Sequence, residues 1–259
     1  MAEPMTHEVT VLMWNPIVNK YQPNCLFYHN IDRADFRWGG SETGTVGYPC
    51  WSTFPAPCSH HKRIESQKDQ IALLKQGDPE GKYWVPAMAD SPLRGANGRH
   101  EWFWEPDDEN NIYPLTTLMD MYEKSVGRNA TLIIGLTPDP DGLLPAGDEQ
   151  RLKEWGEEIN RRFGTPLVET QGRKQRLTLN LNEKQPVNYC IIQEDITKGE
   201  RIRQYKIEAK VNGKWQTVML RRVCGTQTHC ALRIGRNHRL APHRHAIRCL
   251  TRNQLFQRL

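Results

Sequence analysis

Long apolar runs are missing from this chain. None of its 259 residues falls in a stretch approaching the ~18 to 20 apolar residues a membrane helix needs, so no membrane partner is expected. No basic segment followed by an apolar core opens the sequence, so no secretory leader is visible, and the compartment stays open. Cys-x-x-Cys is absent. The seven cysteines are odd in number and irregularly spaced, which argues against a disulfide framework and reads as free thiols. Acidic residues and lysine are absent after Val218.

That last absence decides how the net charge of +5 is read. Residues 219–259 hold nine arginines (221, 222, 233, 236, 239, 244, 248, 252 and 258) and four of the nine histidines. These arginines exceed the whole surplus, so residues 1–218 are net negative. The basic character belongs to the tail and is not a signature of a nucleic-acid-binding body. What the chain does have is aromatics. Eight Trp and eight Tyr are too many for a disordered chain, and the length suits one large domain or one and a half ordinary ones.

Cys25 to Asn30 is a short apolar run that reads as a buried strand. A loop rich in Gly, Ser, Thr and Pro follows from about Asp32 to Ser59, longer than a simple connection needs. Leu115, Leu118, Met119, Tyr122 and Val126 recur at helical spacing and stop near Gly127. Asn129 to Leu136 then reads as a buried strand, closed by the turn-rich Thr-Pro-Asp-Pro-Asp-Gly. Leu152, Trp155, Ile159 and Phe163 line a second helix from about Gly147, with Asp148 and Glu149 at its positive end.

Helix, buried strand, loop, helix is parallel α/β grammar. In a (β/α)8 barrel the chemistry sits in the loops after the strands, and a full barrel takes ~250 residues. Only residues 1–165 are available here, so the expectation is a partial (β/α)8-like barrel. After Gly164 the pattern changes. Leu177, Leu179 and Leu181 alternate with polar residues, and Asn188–Glu194, Tyr205–Val211 and Trp215–Val218 are further strands. Asn212-Gly213 signals a hairpin. Residues 166–218 thus read as a truncated antiparallel β-sandwich domain.

Glu42 sits among glycines with Arg37 and Trp38 in a post-strand loop. A glycosidase needs one carboxyl to protonate the leaving oxygen and a second carboxylate across the sugar. A solvated loop glutamate has the same local composition. His100-Glu101-Trp102-Phe103-Trp104-Glu105 cannot turn all its aromatics inward, so at least one faces a surface or cleft. Cys58, His60 and His61 fit no zinc spacing, nor do Cys224, Cys230, Cys249 and the tail histidines. No metal or cofactor is expected.

Several stretches together resemble the α-L-fucosidases of glycoside hydrolase family 29. They are Tyr21-Gln22-Pro23-Asn24, Arg37-Trp38-Gly39-Gly40-Ser41-Glu42-Thr43-Gly44, Cys50-Trp51-Ser52-Thr53, Tyr83-Trp84-Val85-Pro86-Ala87, Trp102-Phe103-Trp104, Ser125-Val126-Gly127-Arg128-Asn129 and Pro138-Asp139-Pro140-Asp141-Gly142-Leu143. The resemblance runs in order from about residue 15 to 218. It implies a barrel followed by a β-sandwich and retaining hydrolysis of terminal α-L-fucosyl residues of a glycan. It implies Glu42 as general acid/base, with Ser41 where Asn is common, and Arg37, Trp38, Trp51 and Trp104 as sugar or aglycone contacts. The family's Asp nucleophile follows a Trp-Phe-Asp-Gly-like strand, which has no counterpart here, and Met88 stands where Glu is common. With one of two carboxylates missing, the chain alone is expected to be inactive. The other readings are a non-catalytic carbohydrate-binding remnant and a nucleic-acid binder driven by the arginine tail.

The tail lacks the family's Gly-His-Lys-Arg-Ile-like stretch and the strand that follows it. Residues 223–247, read one base later with suitable synonymous codons, spell such a strand. The expectation is a reading-frame slip near Thr217 to Leu220, leaving 219–259 out of frame and disordered.

Overall fold

The computed structural model describes residues 15–28, 34–55, 67–173, 176–181, 187–211, 213–221, 228–231 and 246–252. Cys58, His60, His61 and Cys224 lie outside them. After helix α1 (15–21), the first half is built on a parallel sheet of β1 (Arg37–Trp38), β4 (Ala87–Pro92) and β5 (Thr131–Gly135), in the order β1-β4-β5. Helix α2 (Gln67–Gln76) lies between β1 and β4, α3 (Leu115–Ser125) between β4 and β5, and α4 (Ala146–Phe163) after β5. A small antiparallel pair, β2 (Thr53–Phe54) and β3 (Tyr83–Trp84), flanks this sheet in the chain. Parallel neighbours joined through helices are the α/β arrangement the sequence pattern predicts.

Strand side chains alternate between faces, and the register fixes which residues share one. Trp38 lies opposite Met88, Met88 opposite Thr131, Asp90 opposite Ile133 and Pro92 opposite Gly135. Those residues form one face. Arg37, Ala87, Ala89, Leu132 and Ile134 form the other, and helices cover it. Ala87 and Ala89 pack with Val46, Cys50 and Leu132, while Leu132 and Ile134 pack with Leu118 and Met121 of α3 and Leu152 and Trp155 of α4. Each large apolar side chain sealed there contributes about 1.5–3 kcal/mol.

Both predicted helices form where the spacing places them. In α3 the buried residues are Leu118, Met119, Met121 and Ser125. In α4, Phe163 stacks on Tyr122 at 5.8 Å and meets Tyr189 edge-on at 5.2 Å. The strand expected over Cys25–Asn30 is a correction. Within the described part, Cys25 and Leu26 are exposed, and the only pairing is one parallel bridge between Tyr28 and Phe36. Phe27 is only partly covered and Tyr28 stacks on Phe36, so the run lies along the surface and not in a buried sheet. The second strand forms, but half-buried, with Ile133 46% exposed on the face away from the helices.

The second half is antiparallel. It comprises β6 (Arg176–Asn180), β7 (Tyr189–Ile192), β8 (Gln204–Val211), β9 (Lys214–Arg221), β10 (Thr228–Ala231) and β11 (Ala246–Arg252). One sheet runs β6-β11-β8-β9 and a second pairs β10 with β7. Side chains from both sheets share one cluster, with Tyr205, Ile207 and Met219 against Leu179, Cys190 and Ile192. The β8–β9 hairpin turns through Gly213 at φ 78°, as Asn-Gly predicts. Two stretches of the tail depart from the expectation of disorder. β11 sits between β6 and β8, and without it those strands would present unpaired edges.

The two halves are fastened side to side. The Glu200 carboxylate accepts from the Ser52 backbone N–H at 2.9 Å, from Ser52 Oγ at 2.8 Å and from Asn129 Nδ2. Tyr189 OH donates to Glu123 of α3 at 2.9 Å.

Candidate active site

The chemistry gathers at the C-terminal ends of the parallel strands, where the long loop after β1 folds back over β4. Gly39 N–H donates to Met88 O at 2.7 Å, Gly44 N–H to Asp90 O at 2.8 Å and Val46 N–H to Lys124 O at 3.0 Å. Gly44 must be glycine. Its φ is +67°, and a Cβ there would lie 2.9 Å from Met121 Sδ. A hydroxyl ladder of Ser41, Thr43 and Thr45, with 3.0 Å steps, stiffens the strap. At its crest stands Glu42. Its Oε2 accepts from Trp102 Nε1 at 3.1 Å and lies 3.4 Å from His100 Nδ1, with the side chain 48% exposed.

The loop after β4 delivers those two partners. Arg94 anchors it from below. Arg94 is buried, and its Nη2 lies 3.0 Å from Asp148 Oδ1 in the first turn of α4, while its Nη1 lies 3.7 Å from Asp108 Oδ2. Asp148, expected to complement the helix dipole, is fully buried as this partner. Further along, Arg99 bonds Glu101 at 3.0 Å and Glu105 at 2.7 Å, and holds the Glu101 carboxyl below its usual range. Trp102 lies against Gly135 at the end of β5, where a Cβ would come within 2.6 Å of its ring. A hollow of about 470 Å³ opens beside His100, Trp102 and Phe103.

Asp90 completes the group. Trp38 Nε1 donates to Asp90 Oδ1 at 2.8 Å. Burial pushes the Asp90 carboxyl above its usual value, against the Trp38 hydrogen bond, and nearby Glu42 adds to the rise. Burial likewise raises the Tyr28 phenol, followed by the charges of Asp90 and Glu42.

Of the residues singled out in the sequence, Glu42 and Trp38 share this region. Arg37 does not, because the strand turns it to the helix side. It is fully buried and donates to Leu74 O at 2.9 Å, Trp51 O at 2.8 Å and Val85 O. Trp51 is also buried, with the Arg203 guanidinium 5.0 Å from its ring. Trp104 is half-buried in the loop that carries Trp102. Asp90, His100 and Trp102 were not proposed as site residues. For Asp90 a signal existed, since one carboxylate among Ala-Met-Ala and Ser-Pro at a strand end is out of place in a buried segment. Among the described residues no group of three or more His, Cys, Asp and Glu could hold a metal ion, and no helix is long and apolar enough to cross a membrane.

No protein-family model matches the chain. A structure of a Bacteroides thetaiotaomicron protein, provisionally named an α-L-fucosidase, is 68% identical and superposes with a TM-score of 0.83, covering 92% of this chain and 52% of its own. A glycoside hydrolase 29 family member from an unknown rumen bacterium is 25% identical with a TM-score of 0.77, over 95% of this chain and 43% of its own. A rice protein (Oryza sativa subsp. japonica), also provisionally named an α-L-fucosidase, is 27% identical over 241 residues, 80% of this chain and 44% of its own length. The chain spans about half the length of these relatives.

Proposed function

The chain belongs with the α-L-fucosidases of glycoside hydrolase family 29, and from that premise we propose that it carries the acid/base half of a retaining α-L-fucosidase site. Its substrate class is the terminal α-L-fucosyl residue of a glycan. Residues 1–165 correspond to part of a (β/α)8-like barrel and 166–218 to part of a β-sandwich. Helix-joined parallel strands in sequential order support the first. The cluster shared by two antiparallel sheets supports the second.

One observation carries the reading. Glu42 stands at the C-terminal end of the parallel sheet, gripped by the Trp102 indole and beside His100, with half its surface open. That is where barrel chemistry is placed. In the reaction Glu42 donates a proton to the glycosidic oxygen as the bond to the anomeric carbon breaks, then takes a proton from the water that releases the sugar. Trp102, which lines the hollow beside Glu42, offers an apolar ring face to the pyranose, and Trp38, through Asp90, borders the same region.

A retaining mechanism also needs a carboxylate nucleophile about 5–5.5 Å from the acid/base. No Trp-Phe-Asp-Gly-like stretch stands in these 259 residues. The 259-residue chain is therefore expected to bind L-fucose saturably in calorimetry and to release no nitrophenol from an aryl α-L-fucoside. Absence of fucose binding would overturn the reading. Turnover at enzyme-like rates would overturn the assignment of only half a site.

A further inference from the structure

Asp90 has a capacity that this mechanism leaves unused. It lies near the end of β4 on the open face of the sheet, with Trp38 and Ile133, while the opposite face is sealed by helices. A carboxylate has two oxygens and about four acceptor sites. Oδ1 takes the Trp38 indole N–H at 2.8 Å. Among the described residues, no other side chain donates to Asp90, and no cation is paired with it. The charged or titratable groups around it are Glu42, which repels it, His100, and the Tyr28 phenol.

Holding a half-buried carboxylate without a cation costs stability, and such groups concentrate where a ligand is bound. The surroundings say which ligand. The Trp38 indole is bonded to Asp90, Trp102 lies over Gly135, which pairs with Pro92 further along the same strand, and the loop carrying Glu42 is tied to Asp90's own carbonyl. Aromatic walls with a few convergent polar groups suit a sugar ring whose hydroxyls need acceptors.

Resting on the fucosidase reading, we propose that Asp90 is a hydroxyl-recognition residue of this site. Its Oδ2 accepts from hydroxyls of the bound sugar, while Trp38 fixes the carboxylate through Oδ1. No proton is transferred. Asp90 sets which sugar is held, and Glu42 acts on the bond to be broken.

The test is calorimetry of the 259-residue chain with L-fucose and a series of monodeoxy L-fucoses, for the wild type, Asp90→Asn and Trp38→Phe. Urea unfolding of each variant establishes that it is folded. Losing a hydrogen bond to a charged acceptor weakens fucose binding by about 10- to 100-fold in Asp90→Asn. At least one monodeoxy sugar that binds the wild type more weakly than fucose should bind Asp90→Asn as well as fucose does, because the acceptor it failed to satisfy is gone. Trp38→Phe keeps the carboxylate and should preserve that discrimination. If the wild type binds fucose and Asp90→Asn binds it equally, or keeps the full discrimination, the assignment fails and the fucosidase reading stands. If the wild type binds no fucose, both fall.

Discussion

The two faces of the three-stranded parallel sheet differ more than any two elements of this protein. On the helix side the residues of the first two strands are closed, while Leu132 and Ile134 of β5 are partly covered. Arg37 is 0% exposed, Ala89 is 0%, and Cys50 packs beneath them at 0%. Burial drives the Arg37 guanidinium below its usual value and the Cys50 thiol above its own. On the open side Trp38 and Asp90 are only partly covered, and Ile133 is 46% exposed. The same strands serve packing with one set of residues and chemistry with the next. Arg37 and Trp38 are adjacent in sequence, yet one ties loops together beneath the sheet and the other orients a carboxylate above it.

Breaking this pair apart gives the largest expected effect. Arg37→Met leaves the carbonyls of Leu74, Trp51 and Val85 without their donor. Each unsatisfied buried group costs about 1–3 kcal/mol, partly offset because a buried charge is removed, so a loss of about 2–4 kcal/mol is expected. Trp38→Phe removes one hydrogen bond to a half-buried carboxylate and trims the packing of the ring against the Phe54 and Leu74 cluster, and should cost about 1–2 kcal/mol. Urea denaturation of both variants checks the contrast. Equal losses would mean the two faces are not divided as described.

Glu200 extends the sealed side into the antiparallel half. Its carboxylate binds Ser52, next to Trp51, and Asn129, just before β5. Glu200→Ala strips those donors of their acceptor and should cost about 1.5–3 kcal/mol. Because the lost contacts join the two halves, the unfolding transition should also broaden or split. A single transition at unchanged denaturant concentration would show that the halves are held by other means.

The sequence was most informative where a pattern repeats. The stripe of α3, the stripe of α4 and the alternation of β6 and β8 each carry their own period, and all are found in place. The Asn-Gly hairpin was legible because its turn chemistry is local. Glu42 stood out because glycines flank it, and Gly44 does permit the strap that holds it. What could not be read depends on register or on distant partners. Nothing local tells that Arg37 is sealed completely while Trp38, packed in part against the Phe54 and Leu74 cluster, sends its indole N–H to Asp90. Trp51 is covered by Arg203 from the other half. Asp148 has the position of a dipole-complementing residue, but Arg94, far off in the chain, buries it. The tail strands were invisible because their pairing is wholly non-local and their composition carries no acidic residue.

The smallest effect has the opposite sign and tests the open face directly. Because the Asp90 carboxyl is held above its ordinary value of 3.8, the folded protein keeps this proton after the unfolded chain has released it. Between the ordinary and the raised value the native state binds more protons, so stability falls as pH rises and levels off above the raised value. Asp90→Asn is neutral throughout and still accepts from Trp38. It should match the wild type below that window and be slightly more stable than the wild type above it. The difference between the two unfolding free energies, followed from pH 3 to 7 (about the range spanning the window), isolates Asp90 from the other carboxylates. A difference that does not change with pH, or that favours the wild type as pH rises, would mean the charge at Asp90 is compensated within the protein. The expected sign means instead that the open face carries an uncompensated charge at the expense of stability, the trade-off expected of a site kept for a ligand.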